Sequence, residues 1–127
     1  MFTIQIKMEF ILKKGNETGW AKHHGYLRGW IKTDSDGKYT FYTLKPSTYP
    51  SRSASAHIHP VILEPDGKYY WIEDYLFDDD PLLTESDRNR DSLRGGNSGI
   101  LILRQEENLW IGERNIVLGK NISDYND

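Results

Sequence analysis

Phe2-Thr3-Ile4-Gln5-Ile6-Lys7-Met8-Glu9-Phe10-Ile11-Leu12 is the stretch that decides the fold class. Every even position is apolar and every odd one is polar as far as Glu9, and successive side chains of a strand point to opposite faces, so the pattern predicts a half-buried β-strand. Residues 13–19 are polar, with Gly15, Asn16 and Gly19, and predict a loop. Residues 27–33 predict a second strand, Asp36-Gly37 a tight hairpin turn, and residues 38–44 the returning strand. Residues 45–55 carry Pro46, Pro50 and several serines and predict an irregular loop; it leads into a buried strand over 56–64, where Pro60 argues for an edge or a bulge. Pro65-Asp66-Gly67 marks another turn before an aromatic strand over 69–77, which Asp78-Asp79-Asp80-Pro81 ends. The charged stretch 84–94 holds at most a short helix, capped by Thr84 with Asp87 three residues on. Residues 100–104 and 109–118 predict a closing pair of strands, with a frayed tail beyond Gly119. Short strands between turn signals, without a long helix, predict one all-β domain over 1–127, a mainly antiparallel sandwich or barrel.

Composition narrows the function classes. Of 127 residues only 37% are hydrophobic, so the core is expected to be thin, and 4 Trp, 4 Phe and 8 Tyr offset this because each buries more area than an aliphatic residue. A net charge of −3 with interspersed signs supplies no basic field for nucleic acid or an anionic membrane. With no cysteine, disulfides, thiolate metal sites and cysteine nucleophiles are excluded, and any metal must sit on nitrogen and oxygen ligands. No apolar run reaches the ~18 residues of a membrane span, and the alternation over 2–12 is unlike a signal-peptide core, so a soluble chain is expected. No Gly-x-Ser-x-Gly, phosphate loop or dinucleotide fingerprint occurs, which leaves hydrolase, kinase and dehydrogenase readings without support.

The sharpest chemical signal is Tyr49-Pro50 followed by His57-Ile58-His59. Two residues apart on a strand, His57 and His59 share a face about 6.6 Å apart along the chain, close enough for both imidazoles to reach one metal. The loop before them is long enough to fold Tyr49 back, and its phenolate would add the hard anionic oxygen that a ferric ion favours over Zn²⁺. The same spacing also suits surface or hydrogen-bonded core histidines.

Four ordered blocks carry a family likeness: the run 29–46, Tyr49-Pro50, Ala56-His57-Ile58-His59, and Tyr75-Leu76-Phe77-Asp78-Asp79-Asp80-Pro81-Leu82. Over roughly residues 20–103 the chain resembles the intradiol ring-cleavage dioxygenases, the group of protocatechuate and catechol dioxygenases, and it looks closest to their short bacterial members. The resemblance implies a transthyretin-like antiparallel β-sandwich holding a non-haem Fe(III) on two tyrosines and two histidines. It implies a catechol-type diol and O₂ as substrates, cleaved between the hydroxyl-bearing carbons. Tyr49 matches the tyrosine that leaves the metal when substrate binds, and His57 and His59 match the histidine ligands.

The chain departs from that pattern at named positions. The first tyrosine would fall at Phe10 or Ile11, neither of which can bind iron, and no motif places Tyr26 there instead. The family's arginine before the first histidine is replaced by Ala54, with Arg52 nearby as the substitute. Family members carry further strands ahead of the first tyrosine, whereas Met1 stands almost at that point; the expectation is an incomplete sandwich with an open edge over 2–12 that pairs with a second copy of the chain or a missing segment. A competing expectation is a non-catalytic transthyretin-like binding or assembly module.

Other polar groups have simpler readings beside the chemical ones. His23-His24 fits a solvated loop, and Asp34 and Asp36 fit a hairpin turn better than a calcium loop. Glu73 or Asp74 would complete a two-histidine, one-carboxylate ferrous site, or simply face outward from a strand. Asp78-Asp79-Asp80 reads as a solvated turn, and Trp20, Trp30, Trp71 and Trp110 as core.

Overall fold

The computed structural model describes residues 3–10, 27–45 and 55–126, which group into two compact units, Met1–Pro46 with Ile58–Ile72 and Ser47–His57 with Glu73–Asp127. The fold is all-β, with one four-residue helix among the described residues. None of the described helices is long and apolar enough to cross a membrane.

The first unit is a four-stranded antiparallel sheet of β1 (Gln5–Phe10), β2 (Leu27–Lys32), β3 (Ile58–Leu63) and β4 (Tyr69–Trp71), in the order β2-β1-β3-β4. Ile6 pairs with Ile31 on one side and Ile62 on the other, and Ile62 pairs with Tyr70. Directly paired residues share a face, so this row joins Met8, Ile58 and Pro60 in a buried layer. Burial alternates strictly along β3, as the sequence pattern requires. On the other face Trp30, Lys7, Val61 and Trp71 form a second row, and the rings of Trp30 and Tyr69 meet at a tilt with centroids 6.4 Å apart.

Pro60 sits inside β3, a strand paired on both sides, not at an edge or a bulge. Its carbonyl accepts the Ile72 N–H, and in an antiparallel ladder a residue's N–H and C=O point the same way. Its missing donor therefore faces Ile72, one residue past the end of β4 at Trp71, so the proline removes only the reciprocal bond of that terminal pair. The open edge expected over 2–12 is also corrected, since β1 lies between β2 and β3, and the edges of this sheet are β2 and β4.

The turn at Asp36-Gly37 forms with Gly37 at φ 78° and the Asp34 carboxylate accepting the N–H groups of Asp36 and Lys38. The strand expected over 38–44 does not follow it. Two backbone bonds, Asp34 N–H to Lys38 O and Gly37 N–H to Asp34 O, close the turn, and beyond it Tyr42 and Leu44 are more than four-fifths exposed, so the segment buries too little to hold a ladder. The second turn, with Gly67 at φ 93°, leads into β4 as expected.

The expected strand over 69–77 is divided. After β4 the chain leaves the sheet, and β5 (Leu76–Phe77) pairs in parallel with β6 (Ile100–Leu101) in the second unit. Glu73 explains the break: its N–H donates to Arg94 O, its carbonyl accepts from Arg114 Nη1 at 2.7 Å, and its buried carboxylate accepts from Arg90 Nη1 at 2.7 Å and Arg94 N at 2.9 Å. Arg114 also donates from Nε to Asn97 Oδ1 and lies over the Tyr75 ring, 4.6 Å from its centroid.

The rest of this unit is α1 (Glu85–Arg88) and a hairpin of β7 (Arg104–Glu106) and β8 (Leu109–Ile111). Thr84 and Asp87 form the reciprocal capping box, and Asn89 ends the helix after one turn. The tail is not frayed: Lys120 O accepts Gly95 N–H, and Asn121 Nδ2 donates to Leu93 O. The tryptophans Trp30, Trp71 and Trp110 are each about half exposed or more, so Tyr70, Tyr75 and Phe77 supply the aromatic core instead, while Trp20 lies outside the described residues.

Candidate metal centre

His57 immediately precedes β3 and His59 is its second residue, and the alternation of burial runs back through Ala56, so both imidazoles project from the half-buried face while Ala56, Ile58 and Pro60 face the core. Asp74, two residues before β5, brings a carboxylate to them. One ligand atom from each of His57, His59 and Asp74 lies within 4.8 Å of the other two, and all three residues are half-buried. His57 and Asp74 belong to the same unit, and His59 is tied to His57 through a single intervening residue.

The backbone on both sides of the group is pinned. Asp80 Oδ2 accepts the Ala56 N–H at 2.7 Å and its Oδ1 accepts Leu82 N–H at 2.9 Å, which fixes the chain entering His57. Asp80 is buried, so the expected solvated turn is corrected: it has this anchoring carboxylate at its centre, and Asp78 pairs with Arg88 at 2.5 Å. On the Asp74 side, Glu73 is held as described above. Gly99 adds a steric constraint, because a Cβ there would overlap the Asp74 carbonyl oxygen, and at φ 73° glycine is the residue the backbone favours.

His57 Nδ1 lies 2.8 Å from Ser55 O. A carbonyl oxygen only accepts, so Nδ1 carries the proton and Nε2 carries the lone pair, the arrangement in which a metal-ligating histidine is oriented by its other nitrogen. The donor set is two imidazoles and a carboxylate, with no thiolate, which suits non-haem iron and other borderline or hard ions. Bonds of 2.0–2.2 Å span at most about 4.4 Å between two donors on one ion, so a separation of up to 4.8 Å closes with small side-chain rotations. The residues present fit a metal, and nothing in the donor set singles out Fe(III).

Of the two carboxylates named from the sequence, Asp74 joins the histidines, and Glu73 is committed to Arg90 and Arg94. Tyr49 and Arg52 lie outside the described residues, as do Ile11, His23 and His24. Phe10, one of the two positions implied for a first tyrosine, pairs with Ile58, between the two histidines. Asp34 and Asp36 form the hairpin turn. Asp80 is the residue that sequence reasoning missed; the Asp-Pro turn signalled a chain reversal but not a bond to residue 56. Compared with protein-family models, curated proteins and solved structures, the chain matches none of them.

Proposed function

We propose that this chain is a non-haem iron protein of the intradiol dioxygenase type, built on a transthyretin-like antiparallel β-sandwich and acting on a catechol-type aromatic diol with O₂. The observation that carries the reading is the convergence of His57 and His59, with Asp74, at the place where the resemblance implies a metal. Iron bound there would supply the redox chemistry with O₂ that protein side chains lack. His57 is oriented for ligation by its bond to Ser55 O, and the group is half-buried, which excludes part of the solvent. In this reading Tyr49 would be a phenolate ligand able to accept a proton from the diol, and Arg52 would position the substrate.

The test is oxygen uptake by the iron-loaded chain with catechol and with protocatechuate, for the parent, Tyr49→Phe and His57→Ala. The reading expects uptake by the parent, a large loss in both variants, and a red charge-transfer colour from the tyrosinate. A colourless preparation that retains no iron and consumes no oxygen would favour the non-catalytic binding or assembly module, to which the phenylalanine at position 10 also points.

A further inference from the structure

We propose that Asp74 is the third protein ligand of the metal, supplying the anionic oxygen that a tyrosine at Phe10 or Ile11 would otherwise have supplied. The inference rests on His57 and His59 holding a metal, and it goes beyond that reading by completing the ligand set from a part of the chain where the resemblance implies no ligand.

The charge balance at the metal favours this assignment first. If Tyr49 leaves when a diol arrives, two neutral imidazoles are the only protein donors the resemblance provides, because neither Phe10 nor Ile11 can coordinate. A trivalent or divalent cation held by two imidazoles alone has no protein charge to oppose it. A carboxylate and a phenolate each carry one negative charge, so the exchange keeps the charge that the protein presents.

Position is the second part. The Asp74 carboxylate is within 4.8 Å of both imidazole donors, whereas Glu73, the neighbouring acid, already accepts from Arg90 and from Arg94 N. Rigidity is the third. Glu73, the residue preceding Asp74, donates its N–H to Arg94 O and accepts at its carbonyl from Arg114, and Gly99 closes on the Asp74 carbonyl with no room for a side chain. A ligand carried on backbone fixed in this way loses little freedom on binding an ion, the condition for a preorganised site.

The test is binding of Co(II) to the full chain, measured by competition with a chromophoric chelator and by the visible absorption of the bound ion. The variants are Asp74→Asn, Asp74→Glu, His57→Ala, and Asp66→Asn as an exposed-turn control. The parent and Asp66→Asn are expected to bind one equivalent with the same affinity. Asp74→Asn is expected to lose about 100-fold or more, since even a change outside the ligand shell costs 10–100-fold. Asp74→Glu is expected to keep the stoichiometry with an altered spectrum, which serves as the readout should Asp74→Asn fail to fold. Parent affinity and an unchanged spectrum in either Asp74 variant, with binding lost in His57→Ala, would overturn the inference while leaving the histidine site intact. A parent that binds no Co(II) would overturn both. Binding that depends on Asp74 but is accompanied by no oxygen uptake from the iron-loaded protein would sink the dioxygenase reading alone.

Discussion

In the four-stranded sheet the residues that hold the structure recur every second position: Ile6 and Met8 on β1, Ile58 and Ile62 on β3, with Tyr70 facing them from β4. In the second unit the buried positions include two carboxylates, Glu73 and Asp80, each accepting N–H groups from chain 21 to 24 residues away. The first region is held by apolar area, which is non-directional and tolerates substitution of similar shapes. The second depends on charge-assisted bonds, which are directional and lose more when one partner is removed than they contribute when intact. Both kinds of support bear on the candidate metal group: strand alternation sets which way the histidines face, and polar bonds hold the chain on either side of Asp74.

Substitutions graded by size separate the two kinds of support. Ile62→Ala, at a fully buried position, is expected to cost about 4 kcal/mol, the upper part of the range for removing a buried aliphatic side chain, read as a lower denaturant midpoint with unchanged slope. Asp80→Ala leaves the N–H groups of Ala56 and Leu82 without their acceptor and is expected to cost about 3 kcal/mol. It should also weaken Co(II) binding by loosening the chain at His57, whereas Ile62→Ala should leave the affinity of the folded fraction unchanged; equal binding losses in the two would erase the distinction. Glu73→Gln removes the charge facing a partly exposed Arg90 and is expected to cost about 2 kcal/mol, measured by thermal unfolding.

The smallest effect is at the exposed turn of Asp66 and Lys68. The Lys68 ammonium bonds the Asp66 carboxylate and holds its pKa below the ordinary 3.8. A depressed acid contributes stability above its unfolded pKa and loses it as pH falls through the folded value, so this contribution is confined to the region above about pH 4 and disappears in acid. Carboxyl-carbon NMR should show Asp66 titrating below the other exposed aspartates, and Lys68→Ala should return it to the ordinary range.

These contrasts explain how much was legible in advance. Strands β1, β2 and β3 were visible because alternation is a local property, as were the turns at Gly37 and Gly67 and the Thr84–Asp87 cap. The shared face of the histidine pair was legible for the same reason. The division of residues 69–77 into β4 and β5 was not, because the break depends on Arg90, Arg94 and Arg114 reaching back to Glu73. Nor was the parallel pairing of β5 with β6, which joins residues 24 apart at Leu76 and Ile100. The choice of Asp74 over Glu73 was open in the sequence because both are acids in adjacent positions, and Glu73 is drawn to Arg90 and Arg94 from a distant part of the chain. The folded tail followed no pattern in its own residues: it is fixed by bonds to Leu93 and Gly95.

Pro60 has a consequence that reaches past its own strand. Were the pairing of Val61 with Trp71 and Ile62 with Tyr70 to zip onward by two more steps past Ile72, Asp74 would arrive opposite Ile58 and aim at the oily layer, away from both imidazoles. A ring nitrogen with no hydrogen to give leaves that zipper one bond short just where Arg94 and Arg114 claim the Glu73 backbone. A residue with no reactive group of its own thus makes it cheaper for the arginines to carry the acid elsewhere.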